Sequence, residues 1–306
     1  MLLGNVWNNH VVLYISWLGV NMNNVYGFLL FMFFIIQIIT GILLSFYYSS
    51  SSYISFESVY YLSFNVLYAF IIRFLHVVGS FLCIYFIYLH FLRSFYYTFN
   101  FILSSSFLYV YSSGLLIMVL SLLVSFLGYT LCWGQMSYWG IQVLINVLTV
   151  LPYPISFLLP ELIYSSSMLI LYRFFVLHFG ISLIILLAIV LHLFVLHSFI
   201  SSNSFINLSS SLFISFYLFI LKDFYYYFVF YIPVIAFIFF YNFEFLSNPI
   251  NLIHSSSLST PLHILPESYY LIFYSLLRAL PSKLLGVVIV LCFMFYLLFF
   301  NFNDAL

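Results

Sequence analysis

The sequence predicts an all-α, polytopic transmembrane bundle with about six spans. Three observations carry that expectation. Of the 306 residues, 66% are hydrophobic and 4% are charged, whereas a soluble domain carries about a quarter charged residues. Six apolar runs reach or approach the ~20 residues that a spanning helix needs. Polar, serine- or proline-bearing segments separate them. A β-barrel would need ~10-residue segments of alternating character. In lipid, only helices and closed barrels satisfy their backbone groups.

The runs fall at about 27–48, 64–95, 107–128, 168–197, 217–241 and 284–301. The opening MLLGNVWNNH lacks the charged start of a secretory signal and the Arg-rich pattern of a transit peptide, so the chain is expected to insert where it is made. SSSSYISFES (49–58) joins the first two runs. GYTLCWGQMSYWG (128–140) follows the third, with an aromatic and glycine content that an ordinary membrane turn does not need. LPYPISFLLPE (151–161) and SSNSFINLSSS (201–211) precede the fourth and fifth runs. NPINLIHSSSLSTPLHILPES (248–268) precedes the sixth; it is long for a loop and carries two His and a Glu, which marks it as functional. The 41 Phe and 29 Tyr, with much Leu, Ile and Ser, point to an AT-rich genome such as an organelle's.

Six Lys/Arg against six Asp/Glu leave no net charge. That offers no basic face to nucleic acid and too few cations to orient the spans. Cys83, Cys132 and Cys292 show no C-x-x-C spacing. They read as small buried hydrophobes, not as a metal site or disulfide framework.

Four of the eight histidines lie inside two runs: His76 and His90, and His178 and His192. Each pair is 14 residues apart, which on a helix advances about 21 Å and returns to within about 40° of the same face. Chance would give about 0.2 such pairs by counting matches to that template. If the two helices pack together, His76 faces His178 and His90 faces His192. Two bis-imidazole sites then stack across the membrane. Core histidines are the plainer alternative, although polar intramembrane residues are costly and tend to be functional. Bis-His ligation suits an electron-transfer haem; zinc would want its ligands within one shell.

Gly27 and Gly41, and Gly114 and Gly128, repeat the same spacing in the first and third runs. A missing Cβ lets something flat approach the helix; close helix packing is the alternative. Arg73, Arg93 and Arg173 stand near these histidines, placed either for haem propionates or for snorkelling to the interface.

The stretch GYTLCWGQMSYWG resembles the segment after the third helix of the cytochrome b family of ubiquinol–cytochrome c oxidoreductase, respiratory complex III. The resemblance continues at IIRFLH (71–76), RFFVLHF (173–179), LKD (221–223), TPLHILPESYYL (260–271) and LLRALPSKLLG (276–286), and covers about residues 24–300. It implies two b-type haems, a low-potential one held by His76 and His178 and a high-potential one held by His90 and His192. It implies short surface helices after the third span that wall a quinol-oxidising pocket near the outer face. Tyr129 and Gly140 match positions lining that pocket. Pro266, Glu267, Ser268 and Tyr269 match its other wall, with Glu267 as proton acceptor and Tyr274 facing the same space. A second quinone site near the inner face resembles one formed by His197, Lys222 and Asp223.

The resemblance further implies a Rieske iron–sulfur subunit, a cytochrome c1 subunit and other complex III subunits as partners. It implies a homodimer of the complex, surrounding lipid, ubiquinol and ubiquinone as substrates, and coupled proton translocation in the mitochondrial inner membrane. Residues 1–200 would form the di-haem four-helix bundle. Residues 201–306 would carry the fifth and sixth spans and the Pro-Glu loop. The 14-residue spacing of His178 and His192, in one chain with the fifth run, favours the respiratory over the plastid type. Respiratory members have eight spans, so the last two are expected to be missing, their place filled by another polypeptide or by lipid. Departures are Ser268 for Trp, Cys132 for Pro and Asn24 for Trp, at the two quinone sites and the turn beside one.

A dehydrogenase's di-haem anchor would share bundled histidines but not WGQMSYWG or the Pro-Glu segment. A transporter predicts no haem and an inverted repeat, of which none is evident. A decayed relic would not keep all four histidines, both glycine pairs, Glu267 and Lys222-Asp223.

Overall fold

The computed structural model describes residues 15–17, 25–100, 105–154, 167–198, 213–241 and 248–299. MLLGNVWNNH, Asn24, most of LPYPISFLLPE, all of SSNSFINLSSS and the terminal NFNDAL lie outside these residues. In chain order the elements are β1 (Ile15–Trp17), α1 (Tyr26–Ser45), α2 (Ser55–Asn65), α3 (Ala69–Asn100), α4 (Ser105–Leu131) and α5 (Gln135–Leu148). They continue with α6 (Ser167–Ser198), β2 (Phe213–Ser215), α7 (Phe216–Tyr241), α8 (Leu271–Arg278) and α9 (Lys283–Phe299). Short 3-10 turns occupy Pro249–Leu252 and Ser268–Tyr270.

Among the described residues, four helices are long and apolar enough to cross a membrane: α1, α3 over Ala69–Tyr96, α4 over Tyr109–Leu131 and α6 over Leu169–Ser198. At ~1.5 Å per residue the 32 residues of α3 extend about 48 Å, beyond the ~30 Å hydrocarbon core. The fifth and sixth runs become α7, with 26 residues and Pro233 inside, and α9, with 17. A membrane helix tolerates such a proline because neighbouring groups satisfy the freed carbonyl.

Two features differ from the sequence expectation. The second run does not start at 64. Residues 55–65 form the separate α2; Val66 is extended and Tyr68 is left-handed (φ 61°), so the chain turns before α3 begins. A short antiparallel ribbon also pairs Ile15 with Ser215 and Trp17 with Phe213. Three residues per strand leave too short a pattern for periodicity to detect.

The most extensive contacts are α1 on α3 and α4 on α6, and α3 also packs on α4. The shared core gathers Leu29 and Phe33 of α1, Ile84 and Ile87 of α3, Leu115 and Met118 of α4, and Ile185 of α6. A second cluster, Leu127, Trp133, Ile141, Ile170 and Phe174, ties α5 to the α4–α6 pair. In the most apolar window of α6 only 6% of residues are buried, against 44% in α4. Helix α6 therefore holds its histidines inward while Leu183, Ile184, Leu187 and Leu191 face outward, as lipid allows without cost.

Candidate functional site

Helices α3 and α6 each present two histidines to the bundle interior. The His76 and His178 rings lie 6.2 Å apart, centroid to centroid, with planes inclined by 71°. One turn-set further along, His90 lies close enough to His192 for their charges to interact. These are the two expected pairs.

Each imidazole is seated against a glycine of the helix packed on its own. A Cβ on Gly41 would lie 3.2 Å from His76 Cε1, and one on Gly128 only 2.6 Å from His178 Cε1. A Cβ on Gly114 would lie 3.2 Å from His192 Cε1, and one on Gly27 3.5 Å from His90 Cε1. The four glycines thus clear the space that the imidazole edges take, which lets each ring edge approach a neighbouring helix backbone.

Hydrogen bonds fix the tautomer of three rings. His178 Nδ1 lies 2.9 Å from the Val124 carbonyl, which can only accept. His76 Nδ1 lies 2.9 Å from Thr40 Oγ1, whose single proton is already donated to the Ile36 carbonyl at 2.6 Å. His192 Nδ1 lies 2.8 Å from Ser113 Oγ, which itself donates to the Val110 carbonyl at 2.9 Å. In each case Nδ1 donates, and Nε2 is left with a bare lone pair. His90 Nδ1 is buried without a hydrogen-bond partner among the described residues.

These residues fit a bis-histidine haem. Two imidazoles about 2 Å from a shared metal would have centroids roughly 6 Å apart, as observed for His76 and His178. Among the described residues no three His, Cys, Asp or Glu side chains converge. Each level brings two imidazoles together. Gln37, midway along α1, ties α1 to α3 here: with its amide turned to suit its neighbours, it donates to the His76 carbonyl at 2.8 Å and accepts from Ser80 N–H at 3.3 Å.

A cavity with about 1950 Å³ of atom-free space, part of it open to the outside, begins at the His76–His178 pair. Gly41, Gly128, Arg73, Tyr129, Glu267 and Tyr269 share its wall. Burial raises the Glu267 carboxyl above its ordinary range, and a hydrogen bond from Tyr129 pulls it partly back. Arg73 donates to Ser63 Oγ at 2.6 Å and also reaches the Cys132 thiol; burial pushes that thiol up and the guanidinium opposes it. Arg93 lies near enough to His90 to act on it electrostatically, and Arg173 engages a neighbour of its own.

Four expected pocket residues lie elsewhere. Gly140, Pro266, Ser268 and Tyr274 are not among the cavity's lining residues. A Cβ on Gly140 would meet nothing within 4 Å. Ser268 is exposed. The Tyr274 hydroxyl accepts from Arg278 at 3.2 Å, and the guanidinium carbon lies 5.4 Å from its ring centroid.

The residues 128–140 do more than wall a space. Trp133 is buried and left-handed (φ 51°), which reverses the chain between α4 and α5. Gln135 N–H donates to the Ile253 carbonyl at 2.9 Å, and its Oε1 accepts from Ser256 N–H at 2.6 Å. Ser137 N–H and Oγ both donate to Asn251 Oδ1, at 2.9 and 3.0 Å. Trp139 Nε1 donates to the Ser259 carbonyl at 3.2 Å. A side chain at Gly134 would overlap Asn251. The stretch is a clamp that holds the 248–259 loop and thereby positions the segment leading to Glu267. At the other end of that segment, Tyr88 donates to the Tyr269 carbonyl at 2.8 Å, and the Tyr270 and Ser125 hydroxyls pair at 2.6 Å. Gln135, Ser137, Asn251, Tyr88 and Tyr270 were not singled out in the sequence, since single polar residues at long separation leave no spacing to read.

His197 is in the last turn of α6, and Lys222 and Asp223 are in the second turn of α7. Asp223 is 4% exposed and its Oδ1 has no hydrogen-bond partner among the described residues, with the Lys222 charge beside it. Phe28 of α1 meets Phe224 of α7 edge-on at 5.0 Å. Since Gly27 seats His90, this contact packs the turn of α7 that carries Asp223 against the turn of α1 that carries Gly27.

Two family models match the chain: Cytochrome b/b6/petB over residues 13–200 and Cytochrome b(C-terminal)/b6/petD over residues 254–305. The chain is 37% identical to cytochrome b of Brachionus plicatilis over 294 residues, covering 94% of this chain and 75% of that protein. It is 36% identical to cytochrome b of Toxoplasma gondii over 289 residues, covering 93% and 76%. Its fold is similar to a chain of a hyperthermophilic respiratory complex III, with a TM-score of 0.86, 26% identity, and coverage of 98% of this chain and 80% of that one.

Proposed function

The chain belongs to the cytochrome b family, and from that premise we propose that it is the di-haem, quinone-handling subunit of a respiratory quinol–cytochrome c oxidoreductase. His76 and His178 hold one b-type haem, and His90 and His192 the other. When bound, the haems supply an electron path across the bundle between two quinone sites. Arg73, Arg93 and Arg173 compensate propionate charge at the helix ends.

Ubiquinol is oxidised in the cavity beside His76 and His178. Glu267 accepts a quinol proton there. Its desolvated carboxylate is a stronger base than an exposed one, so it can take a proton near neutral pH and pass it outward. Tyr129 orients it, and Tyr269 closes the wall. Ubiquinone is reduced at the other end, where Asp223 and His197 deliver protons and Lys222 balances charge. Uptake at one face and release at the other make the reaction a proton translocation.

The partners of this reading are the iron–sulfur and cytochrome c1 subunits, further complex III subunits, and a second copy of the complex. Its setting is the mitochondrial inner membrane, encoded in the organelle. Residues 1–200 act as the di-haem unit, and residues 201–306 complete the quinone sites.

The observation that carries the proposal is the pair of facing imidazole sets, each ring seated on a glycine. The test is a dithionite-reduced minus ascorbate-reduced spectrum of the purified complex, with haem per chain quantified. Two b-type haems in the parent, and one in His76→Ala or His192→Ala, are expected. A parent with none or one would overturn the reading.

A further inference from the structure

Two of the four glycine seats share a detail that the other two lack. Gly41 follows Thr40, and Gly114 follows Ser113. In both dipeptides the glycine receives the imidazole edge and the hydroxyl before it receives the same ring's Nδ1. Each hydroxyl spends its own proton on a carbonyl of its own helix. It can therefore meet the histidine only as an acceptor. The ring is held in one orientation and one tautomer by a group that cannot switch roles.

A hydrogen bond accepted from Nδ1–H gives an imidazole more imidazolate character and makes Nε2 the stronger donor. A stronger donor stabilises the oxidised iron and lowers its potential, since second-shell hydrogen bonding is one lever on a haem. At the His76–His178 level both rings have such an acceptor, Thr40 Oγ1 and the Val124 carbonyl. At the His90–His192 level only His192 has one, because His90 Nδ1 has no partner among the described residues.

We propose that Thr40 and Ser113 are positioning residues, each lowering the midpoint of the haem at its own level by holding one iron ligand's Nδ1 proton: Thr40 through His76 and Ser113 through His192. This rests on the di-haem reading above. Val124 contributes its acceptor through the backbone, so side-chain substitution can reach only the two hydroxyls.

The test is a potentiometric titration of the visible b-haem bands in the purified complex, with low-temperature electron paramagnetic resonance of the oxidised form. Thr40→Val is expected to raise the midpoint of the lower-potential component, move its resonance signal and leave the other component unmoved. Ser113→Ala is expected to do the reverse. Thr40→Ser and Ser113→Thr keep the acceptor and should restore parental behaviour. Thr40→Cys, a weaker acceptor of similar size, keeps the ring seated should Thr40→Val lose its haem, and a smaller upward shift of the same component is expected. Unmoved midpoints in Thr40→Cys and Ser113→Ala, with both haems retained, would overturn the proposal. A parent that lacks two b-type haems would instead overturn the reading beneath it, before any variant is compared.

Discussion

At the His76–His178 level both imidazoles donate from Nδ1 to a neighbouring helix, and a cavity opens from the rings to Glu267. At the His90–His192 level one imidazole donates, and none of His90, His192, Gly27 or Gly114 lines that cavity. The helices, the 14-residue period and the glycine seats are the same at both levels. What differs is what surrounds the repeated parts: a clamped loop with a buried carboxyl at one end, and the entry to α7 with Asp223 at the other. A repeated motif thus builds two similar histidine pairs, and the non-repeated segments make their surroundings unequal.

The largest effect expected on this contrast comes from the ligands. His178→Ala should abolish quinol oxidation and one haem band while the second band persists; His90→Ala should remove the other band. Loss of both bands in either single variant, read by quantitative spectroscopy, would show that the levels are not independent. Glu267→Gln acts on one level only. It should slow quinol oxidation by roughly 10²–10⁴-fold, the usual worth of a positioned general base, without moving either haem band. The sign of the pH dependence follows from its raised pKa. Below that pKa the group is protonated and cannot accept, so the parental rate should rise with pH through it and Gln should flatten that limb. A parental rate that falls over the same window would remove Glu267 from the role. The same shift means the folded state binds this proton more tightly than the unfolded one. Its contribution to stability is present at low pH and lost as pH rises through the raised pKa.

The glycine seats grade the contrast more finely. Gly128→Ala places a Cβ 2.6 Å from His178 Cε1, whereas Gly27→Ala places one at an ordinary 3.5 Å from His90. The first should cost about 1–3 kcal/mol as overpacking and perturb the His76–His178 band in thermal melts followed by visible absorbance. The second should leave both bands in place; equal damage from the two would mean the seats are not steric. The smallest effect is expected at the clamp. Asn251→Ala leaves the Ser137 N–H without its acceptor, while Ser137 Oγ keeps the Tyr129 carbonyl. It should cost about 1–3 kcal/mol and raise proteolysis of the 248–259 loop more than that of the helices.

Much of this architecture was legible in the sequence because it rests on periodicity. Run lengths located six apolar helices to within a few residues, apart from the start of the second, and four of these are long enough to cross a membrane among the described residues. The 14-residue spacing paired His76 with His178 and His90 with His192, since helical rise and twist are fixed by backbone geometry alone. The residues at 64–68 were misread because an apolar turn and an apolar helix look alike until a left-handed Tyr68 is seen. The clamp of Gln135, Ser137 and Asn251 was illegible because it joins residues more than 110 positions apart.

The sequence by itself therefore determined the membrane class, the apolar helices, and which histidines face each other, all consequences of composition and helical period. Only the tertiary structure decided which atom each imidazole donates from, that Gly140, Pro266, Ser268 and Tyr274 stand outside the cavity while Tyr129 and Glu267 share it, and that the two levels differ. Those outcomes depend on which side chain meets which across packed helices and a folded loop, and no local rule of the chain fixes that.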